Sequence, residues 1–195
     1  MSILQALGVP AFNAEKTSPI DRLIYRLKVT GMVEREKEFT LAEIERMPFS
    51  WVNSRLASVS GWSVRADWDG VLWNDFIKIV KPTKEAAFVV FKSHGGYETV
   101  VRIEDLNHPR AMLVYGVAGE PLEHEHGGPL RTVLPHLWGY KSCKWLVEIK
   151  FADSYKDGFW ESRGYSSSGY IEAGWTLDIN TRTRRAIKDG EILDF

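Results

Sequence analysis

The sequence predicts an α+β domain with a mixed or antiparallel β-sheet core and short helices at its periphery. Alternating apolar and polar runs are typical of half-buried strands, and the helical patterns between them are short. The 195 residues are 44% hydrophobic and 26% charged, a composition with which one core can form without disulfides. We therefore expect a single domain over residues 1–195, with an extended N-terminal segment (1–20) and an irregular C-terminal tail (166–195).

The first half of the chain predicts one strand and two helices. Residues 21–31 alternate between apolar and polar side chains, which indicates a half-buried strand. Residues 40–43, TLAE, form a capping-box pattern before a short helix that ends near Pro48. A second helix is predicted between Gly70 and Pro82 because its apolar residues form one stripe. These are Leu72, Phe76, Ile79 and Val80.

The second half of the chain predicts further strands and two pairings between them. The β-rich run 87–91 turns at two consecutive glycines into residues 97–101, which predicts a hairpin. Residues 112–117 are expected to pair with residues 130–134, and residues 144–151 alternate well enough for another strand. Together these elements favour a sheet-based core with no internal repeat.

Charge and cysteine content limit the partners and the compartment. A net charge of -1 gives no basis for nucleic acid or a membrane surface as a partner. The basic run 181–188 is offset by acidic residues after it and is expected to be a solvated face. Cys143 is the single cysteine, which excludes an internal disulfide and favours a reducing compartment. With no apolar run of spanning length and no targeting pattern, a cytoplasmic location is expected.

Residues 126–145, HGGPLRTVLPHLWGYKSCKW, combine the groups that bind a polyanion. Arg131 offers a planar fork for two hydrogen bonds to phosphate. Lys141 and Lys144 add point charges, and a loop with Gly139 and Ser142 lets backbone N–H groups approach an oxyanion. The alternative on composition alone is a β-hairpin with a solvated basic edge.

Five motifs in order extend this interpretation to a family. They are SVSGWSVRADWDGV (58–71), FKSHGGYETVVRIEDL (91–106), LVYGVAGEPLEHEHGGPLR (113–131), the following GYKSCKW (139–145) and GFWESRGYS (158–166). They resemble the molybdopterin-binding domain of the sulfite oxidase family of oxidoreductases. That family includes sulfite oxidase, plant nitrate reductase and a bacterial methionine sulfoxide reductase subunit. The chain is more similar to the small bacterial and archaeal members than to sulfite oxidase.

The resemblance implies molybdenum-molybdopterin as the cofactor and a set of residues that contact it. Ser93 and His126 would contact the pterin. Arg131, Ser142 and Lys144 would bind its phosphate, together with the backbone around Cys143. The implied activity is oxygen-atom or electron transfer on a small oxo-acceptor, with a redox partner.

Three departures from the family pattern bear on that activity. Ser58 stands where the family has the cysteine that ligates molybdenum, and a serine oxygen is a harder donor than a thiolate. Ser58 is either natural or a deliberate replacement of the cysteine. The N-terminal segment resembles the family at residues 10–19, but the Arg-Asn-His stretch that follows in sulfite oxidases has no counterpart. Trp62 replaces the substrate arginine of sulfite oxidases, which argues against sulfite as the substrate.

Two functions therefore remain open at the level of sequence. The first is a cytoplasmic molybdopterin-dependent oxidoreductase with Ser58 as the metal ligand. The second is a non-catalytic or cofactor-free relative that keeps the fold as a binding module. Arg131 and Lys144 favour the first function. Ser58 and the missing Arg-Asn-His stretch favour the second.

Overall fold

The computed structural model describes residues 2–188, which form two β-sheets with short helices around them. The α-helices are α1 (Ile3–Leu7), α2 (Leu41–Glu45), α3 (Trp73–Val80) and α4 (Ile103–Leu106). The strands are β1 (Arg26–Gly31), β2 (Lys37–Thr40), β3 (Ser50–Ser58), β4 (Trp62–Leu72), β5 (Phe88–Ser93), β6 (Glu98–Arg102), β7 (Met112–Val117), β8 (Glu120–Pro121), β9 (Arg131–Val133), β10 (Leu146–Ala152), β11 (Gly174–Asp178) and β12 (Thr183–Ile187).

Both sheets are mixed, which confirms the α+β prediction. The first sheet has the strand order β2-β1-β10-β5-β6, with β1 and β10 parallel and the other pairs antiparallel. The second has the order β12-β11-β4-β7-β8, and in addition β3 pairs with β4 and β9 with β7. In the second sheet only β11 and β4 are parallel. None of the helices within residues 2–188 is long and apolar enough to cross a membrane.

Helix α3 packs against the first sheet through aromatic side chains. Trp73 is fully buried, and its ring lies 5.7 Å from the ring of Phe91 on β5 and 6.2 Å from that of Phe151 on β10. Burying rings of this size contributes most of the apolar area that stabilises such a core. The helix ends at Val80. The next residue, Lys81, has a left-handed backbone (φ 50°), and Pro82 prevents continuation of the helix.

Most of the local predictions are confirmed. Thr40 caps α2 with a complete capping box, since its side chain accepts a hydrogen bond from the Glu43 N–H and the Glu43 carboxylate accepts from the Thr40 N–H. The predicted hairpin is β5–β6, the predicted pairing of residues 112–117 with 130–134 is β7–β9, and the last predicted strand is β10.

Three predictions about element boundaries are wrong. The predicted extended segment 1–20 contains α1, which Ser2 caps through a capping box with Gln5. The first strand begins at Arg26, because residues 22–24 form a turn. The predicted irregular tail 166–195 contains the hairpin β11–β12. Residues 189–195 of that tail lie outside the described residues.

The longest hairpin of the second sheet, β3–β4, is an element that sequence patterning does not reveal. The first half of β3 alternates between exposed and half-buried residues, but residues 54–57 are buried on both faces. A strand covered on both faces has no period of two in its sequence. This hairpin matters for function because its turn places Ser58 and the residues after it at a cleft.

Candidate functional site

A cleft opens between the β3–β4 hairpin, residues 126–145 and the N-terminal segment. It encloses about 1050 Å³ of empty volume, including the solvent at its mouth. Residues that are distant in sequence form its walls, which is the usual construction of a ligand site between packed elements. Five of the seven predicted site residues line it, namely Ser58, His126, Arg131, Ser142 and Lys144.

Arg131 places a buried positive charge in the wall of this cleft. Only 5% of the residue is exposed, and its guanidinium donates from Nη1 to the His126 carbonyl (2.8 Å) and from Nε to the Thr132 carbonyl (3.2 Å). Its guanidinium carbon also lies 5.8 Å from the ring centroid of Trp68. No carboxylate of residues 2–188 forms a salt bridge with Arg131. Burial lowers its pKa to about 10, so the side chain remains charged at neutral pH without an anion to balance it.

Lys144 is a second cation in the same cleft. Its Nζ donates to the Phe12 carbonyl (2.7 Å) and to Asn13 Oδ1 (2.6 Å), and lies 4.9 Å from the ring of Trp145. No described carboxylate forms a salt bridge with it. Burial, and next the charge of Arg131, lower the pKa of Lys144 to about 7. A lysine whose charge is disfavoured by burial and by a neighbouring arginine gains from an anion bound in the same cleft.

His126 provides a neutral polar group between these cations. The residue is 3% exposed, and its Nε2 is buried without a hydrogen-bond partner in the described part of the chain. Burial, followed by the charges of Arg131 and Lys144, lowers its pKa to about 4. At neutral pH the ring is therefore uncharged. An unpaired buried nitrogen is costly unless a ligand completes its hydrogen bond.

Ser58 ends β3 at the lip of the cleft. Its Oγ lies 2.7 Å from Oγ of Ser60 and accepts a hydrogen bond from the Ser60 N–H (3.2 Å). In the β3–β4 register Ser58 is directly opposite Trp62, and both residues line the cleft. Ser58 therefore lines the cleft, and Ser60 supplies both of the polar contacts described for its hydroxyl.

Ser142 and Cys143, two further predicted cofactor contacts, already form hydrogen bonds within the protein. Ser142 Oγ accepts from the Leu134 N–H (3.0 Å), which leaves its own proton to donate. The Cys143 N–H donates to Thr132 Oγ1 (2.7 Å), and the Cys143 carbonyl accepts from the Thr132 N–H. Cys143 is therefore a packed residue whose own backbone groups are paired. Burial also raises the pKa of its thiol.

Ser93 is engaged by a residue that the sequence did not single out. Its hydroxyl donates to the carboxylate of Glu15, which also accepts from the Tyr97 N–H (2.7 Å). Glu15 and Tyr97 line the cleft, whereas Ser93 does not. Glu15 belongs to residues 10–19, whose family resemblance was recognised without a role for this carboxylate.

Lys141 does not contribute to the cleft, so the prediction that it adds a charge for the polyanion is wrong. Its Nζ is fully buried and donates to Glu161 Oε1 (2.6 Å), the Val100 carbonyl (2.8 Å) and the Ser167 carbonyl (2.6 Å). Glu161 also accepts from the Thr99 hydroxyl at 2.8 Å. The lysine thus fastens the segment 158–167 to β6, and its charge is used within the core.

That segment supplies two of the four rings that form an aromatic wall of the cleft, Trp160 and Tyr165. The rings of Trp160 and Tyr165 stack at 4.9 Å with an interplanar angle of 17°, and Tyr140 meets Tyr165 edge-on at 5.1 Å. Phe12, 63% exposed, stacks at 6.5 Å on the other side of Trp160. All four line the cleft. The sequence signal for Trp160 and Tyr165 is the GFWESRGYS motif, whereas Tyr140 belongs to the GYKSCKW motif.

The pKa of Lys144 leads to a testable dependence of anion binding on pH. Sulfate, which does not titrate in this range, should bind most tightly below about pH 7, where Lys144 is charged. Its Kd should rise by up to ~10-fold per pH unit above that value, because one proton is linked to binding. Isothermal titration calorimetry measures this profile. Lys144→Met should bind sulfate weakly and show no such slope, and a wild-type Kd that stays constant up to about pH 9 would contradict the assignment.

The cleft thus combines a buried arginine, a half-buried lysine and an uncharged histidine, a set of groups suited to binding an organic anion. The sequence profile of the oxidoreductase molybdopterin-binding domain matches residues 14–160. The chain belongs to this family, which confirms the resemblance to the sulfite oxidase family.

Curated relatives cover a similar part of the chain. The uncharacterised oxidoreductase YuiH of Bacillus subtilis is 34% identical over 76% of this chain and 76% of its own length. A protein of Azospira oryzae whose name proposes a protein-methionine-sulfoxide reductase subunit, YedZ1, is 30% identical over 81% of this chain and 62% of its own. The protein-methionine-sulfoxide reductase catalytic subunit MsrP of Xanthomonas campestris is 29% identical over 82% and 56%. The chain therefore spans little more than half of the last two relatives.

A solved structure supports the fold. The sulfane dehydrogenase SoxCD of Paracoccus pantotrophus superposes with a TM-score of 0.67 at 20% identity, covering 77% of this chain and 43% of that one. At this identity the similarity establishes the fold alone. The hairpin β11–β12 lies beyond the residues that the family profile matches.

Proposed function

We propose that this chain is a molybdopterin-dependent oxidoreductase domain that reduces methionine sulfoxide in proteins. The observation that supports cofactor binding is the buried Arg131 and the half-buried Lys144 in one cleft with the unpaired Nε2 of His126. The substrate class is proposed from the names of two relatives. The departures at Ser58 and Trp62 are consistent with a substrate other than sulfite.

The residues of the cleft fit an anionic pterin. Arg131 and Lys144 would bind the phosphate through charge-assisted hydrogen bonds. Ser142 has a free hydroxyl proton to donate, and His126 Nε2 is available to the ring system as donor or acceptor. To bind the phosphate directly, Lys144 would give up its hydrogen bonds to the Phe12 carbonyl and Asn13 Oδ1. Each group that lacks a partner in the described chain gains one.

When bound, the cofactor supplies two-electron oxygen-atom transfer, and the protein positions the reacting groups around it. Ser58, which lines the cleft, would present an oxygen to the metal. Trp160 and Tyr165 offer stacked aromatic faces, which bind sulfur-containing side chains favourably. Trp62, directly opposite Ser58 in the β3–β4 register, lines the neighbouring part of the lip. Reduction of a sulfoxide to a thioether consumes two electrons and two protons and releases water, so a redox partner must supply the electrons.

A partner protein and a cytoplasmic location belong to the same proposal. Two relatives are named as subunits, which supports a separate electron donor for this domain. Co-purification of the full chain from its native cells, followed by identification of bound redox proteins, tests the partner. Cell fractionation tests the location, and recovery of the chain outside the cytoplasm would contradict it.

The first experiment is to measure molybdenum by elemental analysis and released, oxidised pterin by fluorescence in protein from a host that makes the cofactor. Both present in stoichiometric amounts would support the proposal. Methionine sulfoxide reduction with an artificial electron donor would then test the activity. Neither present would contradict it and favour the second candidate.

Replacing Ser58 by cysteine should raise the molybdenum content, because a thiolate is a stronger and softer donor to this metal than a serine oxygen. Ser60→Cys is the matched control, because Ser60 also lines the cleft and its Oγ lies 2.7 Å from the Oγ of Ser58. Elemental analysis of both variants from the same host measures the effect. An equal gain in the two variants, or none in Ser58→Cys, would count against Ser58 as the metal ligand.

The second candidate is a cofactor-free relative that keeps the fold as a binding module. The observation that favours it is that residues of the N-terminal segment already occupy two predicted contacts. Phe12 and Asn13 accept from Lys144, and Glu15 accepts from Ser93. Under this candidate, removal of residues 1–15 should not increase cofactor content. Under the first candidate, the anion competes with these contacts of Lys144 and Ser93, so the same truncation should increase cofactor content.

A further inference from the structure

The face of the second sheet that lines the cleft continues onto the hairpin β11–β12. In the register of the sheet, Ser58 on β3 pairs with Trp62 on β4, and Trp62 pairs with Leu177 on β11. Directly paired residues point to the same face of a sheet. Since Ser58 and Trp62 both line the cleft, Leu177 extends the same face outward. Trp175, two residues before Leu177, lies on that face as well.

This outer face of the hairpin is apolar and exposed. Trp175 is 69% and Leu177 41% exposed, whereas the alternate residues Thr176 and Asp178 are buried on the other face. A sheet with one solvated face normally places polar residues there. Adjacent apolar residues on such a face are the feature expected of an interaction surface. We name the set Trp175, Leu177, Arg184 and Ala186 the hairpin face.

The charge of the hairpin face defines the chemistry of its partner. Arg184 is exposed and lies opposite Leu177 on β12, while Ala186 lies opposite Trp175. No carboxylate of the described residues forms a salt bridge with Arg184. Aromatic and arginine side chains together are enriched where proteins bind one another. The complementary partner therefore presents apolar side chains next to an acidic one.

The position of the hairpin face relative to Ser58 sets the size of the partner. Two strand spacings separate Leu177 from Ser58, a distance of ~10 Å. An extended chain covers this distance with about three residues. A free amino acid in the cleft cannot reach the hairpin face, whereas a polypeptide with one residue in the cleft can.

We propose that the hairpin face binds an extended, unfolded polypeptide whose oxidised methionine enters the cleft and whose apolar and acidic neighbours contact Trp175, Leu177 and Arg184. This inference rests on the proposed function and names its substrate as unfolded protein rather than free methionine sulfoxide. The hairpin face supplies affinity for the chain, and the cleft selects the sulfoxide. The hairpin lies beyond residues 14–160, so the proposed docking surface is separate from the part of the chain that the family profile matches.

The test compares variants that remove the hairpin face and leave the cleft intact. Trp175→Ser combined with Leu177→Ser is the principal variant, and Arg184→Glu is a second that keeps the apolar residues. Trp51→Ser is the matched control, because Trp51 is 57% exposed but pairs with Asp69 at the far end of the β3–β4 hairpin. Each is made in the full chain, and circular dichroism verifies folding.

Two readouts separate docking from catalysis. Fluorescence anisotropy gives the Kd for a dye-labelled, acidic, permanently unfolded polypeptide with oxidised methionines, and steady-state kinetics give KM for it and for free methionine sulfoxide. The double variant should weaken the Kd and raise KM for the polypeptide by about tenfold, the effect of removing an interface hot spot. KM for free methionine sulfoxide should not change. Arg184→Glu should weaken binding of the acidic polypeptide and spare a neutral one.

Each alternative outcome is distinct. Polypeptide binding that responds to the double variant, without turnover of any sulfoxide, would support docking and overturn the proposed function. If the enzyme turns over sulfoxide but the polypeptide KM is the same in the wild type and the double variant, docking alone is overturned. Docking is also overturned if Trp51→Ser weakens polypeptide binding as much as the double variant does. Docking is also overturned if the double variant instead abolishes binding to phosphatidylglycerol vesicles or self-association in sedimentation, with polypeptide binding unchanged.

Discussion

Arg131→Ala is expected to yield a folded protein that has lost its cofactor. A bidentate charged contact with phosphate contributes ~1.5–3 kcal/mol, so its loss lowers cofactor affinity by one to two orders of magnitude. The stability of the apo protein should change much less, because two contributions oppose each other. Removing a buried charge that has no described carboxylate partner relieves a desolvation cost, whereas the carbonyls of His126 and Thr132 lose their donor. Pterin fluorescence and urea denaturation measure the two effects on the same preparation.

Two further arginine variants sharpen this result. Arg131→Lys keeps the charge but loses the planar fork, and should retain only part of the cofactor. Arg26→Ala removes an exposed arginine on β1, whose Nε lies 3.7 Å from Glu38, and should change nothing beyond about 0.5 kcal/mol in stability. A normal pterin content in Arg131→Ala would show that the phosphate is bound elsewhere.

Lys141→Met is expected to lower the free energy of unfolding by about 3–5 kcal/mol, because it leaves the carboxylate of Glu161 buried without its cation. The pair is completely enclosed, with side-chain exposures of 0% and 1%, and Glu161 Oε2 already lacks a hydrogen-bond partner. Urea denaturation with a two-state fit measures the loss.

Two comparisons assign that loss to the buried charge. Adding Glu161→Gln to Lys141→Met should recover part of the stability, since the charge that lost its partner is then removed. Lys78→Met breaks the ion pair with Asp75, in which the lysine is 73% exposed, and should cost less than about 1 kcal/mol. Equal losses for Lys78→Met and Lys141→Met would refute the role given to the buried pair.

The sequence predicted those features whose determinants are local. The capping box at Thr40, the glycine turn of β5–β6 and the apolar stripe of α3 each depend on residues a few positions apart. The hairpin β3–β4 could not be predicted in this way, because burial on both faces removes the alternation. The hairpin β11–β12 was missed for a related reason, since its apolar residues face solvent.

The candidate site could be predicted in part. Arg131, Lys144 and His126 share one cleft, as the resemblance implied. Lys141 was assigned wrongly because its partner, Glu161, is twenty residues away and only the fold brings them together. Glu15 was missed for the same reason, since its contact with Ser93 joins residues 78 positions apart. Charge patterns reveal which groups are present, but not which of them neutralise one another.

The ion pair of Lys141 and Glu161 also limits how this domain can be redesigned. Lys141 lies three residues from Lys144, and Glu161 follows Trp160 directly. The ion pair thus joins the loop that carries Lys144 to the segment that carries Trp160 and Tyr165, at positions next to these residues. Inserting or deleting residues in either segment to change the substrate preference would therefore strain the other segment. Exchange of the side chains at Trp160 or Tyr165 would leave the ion pair of Lys141 and Glu161 in place.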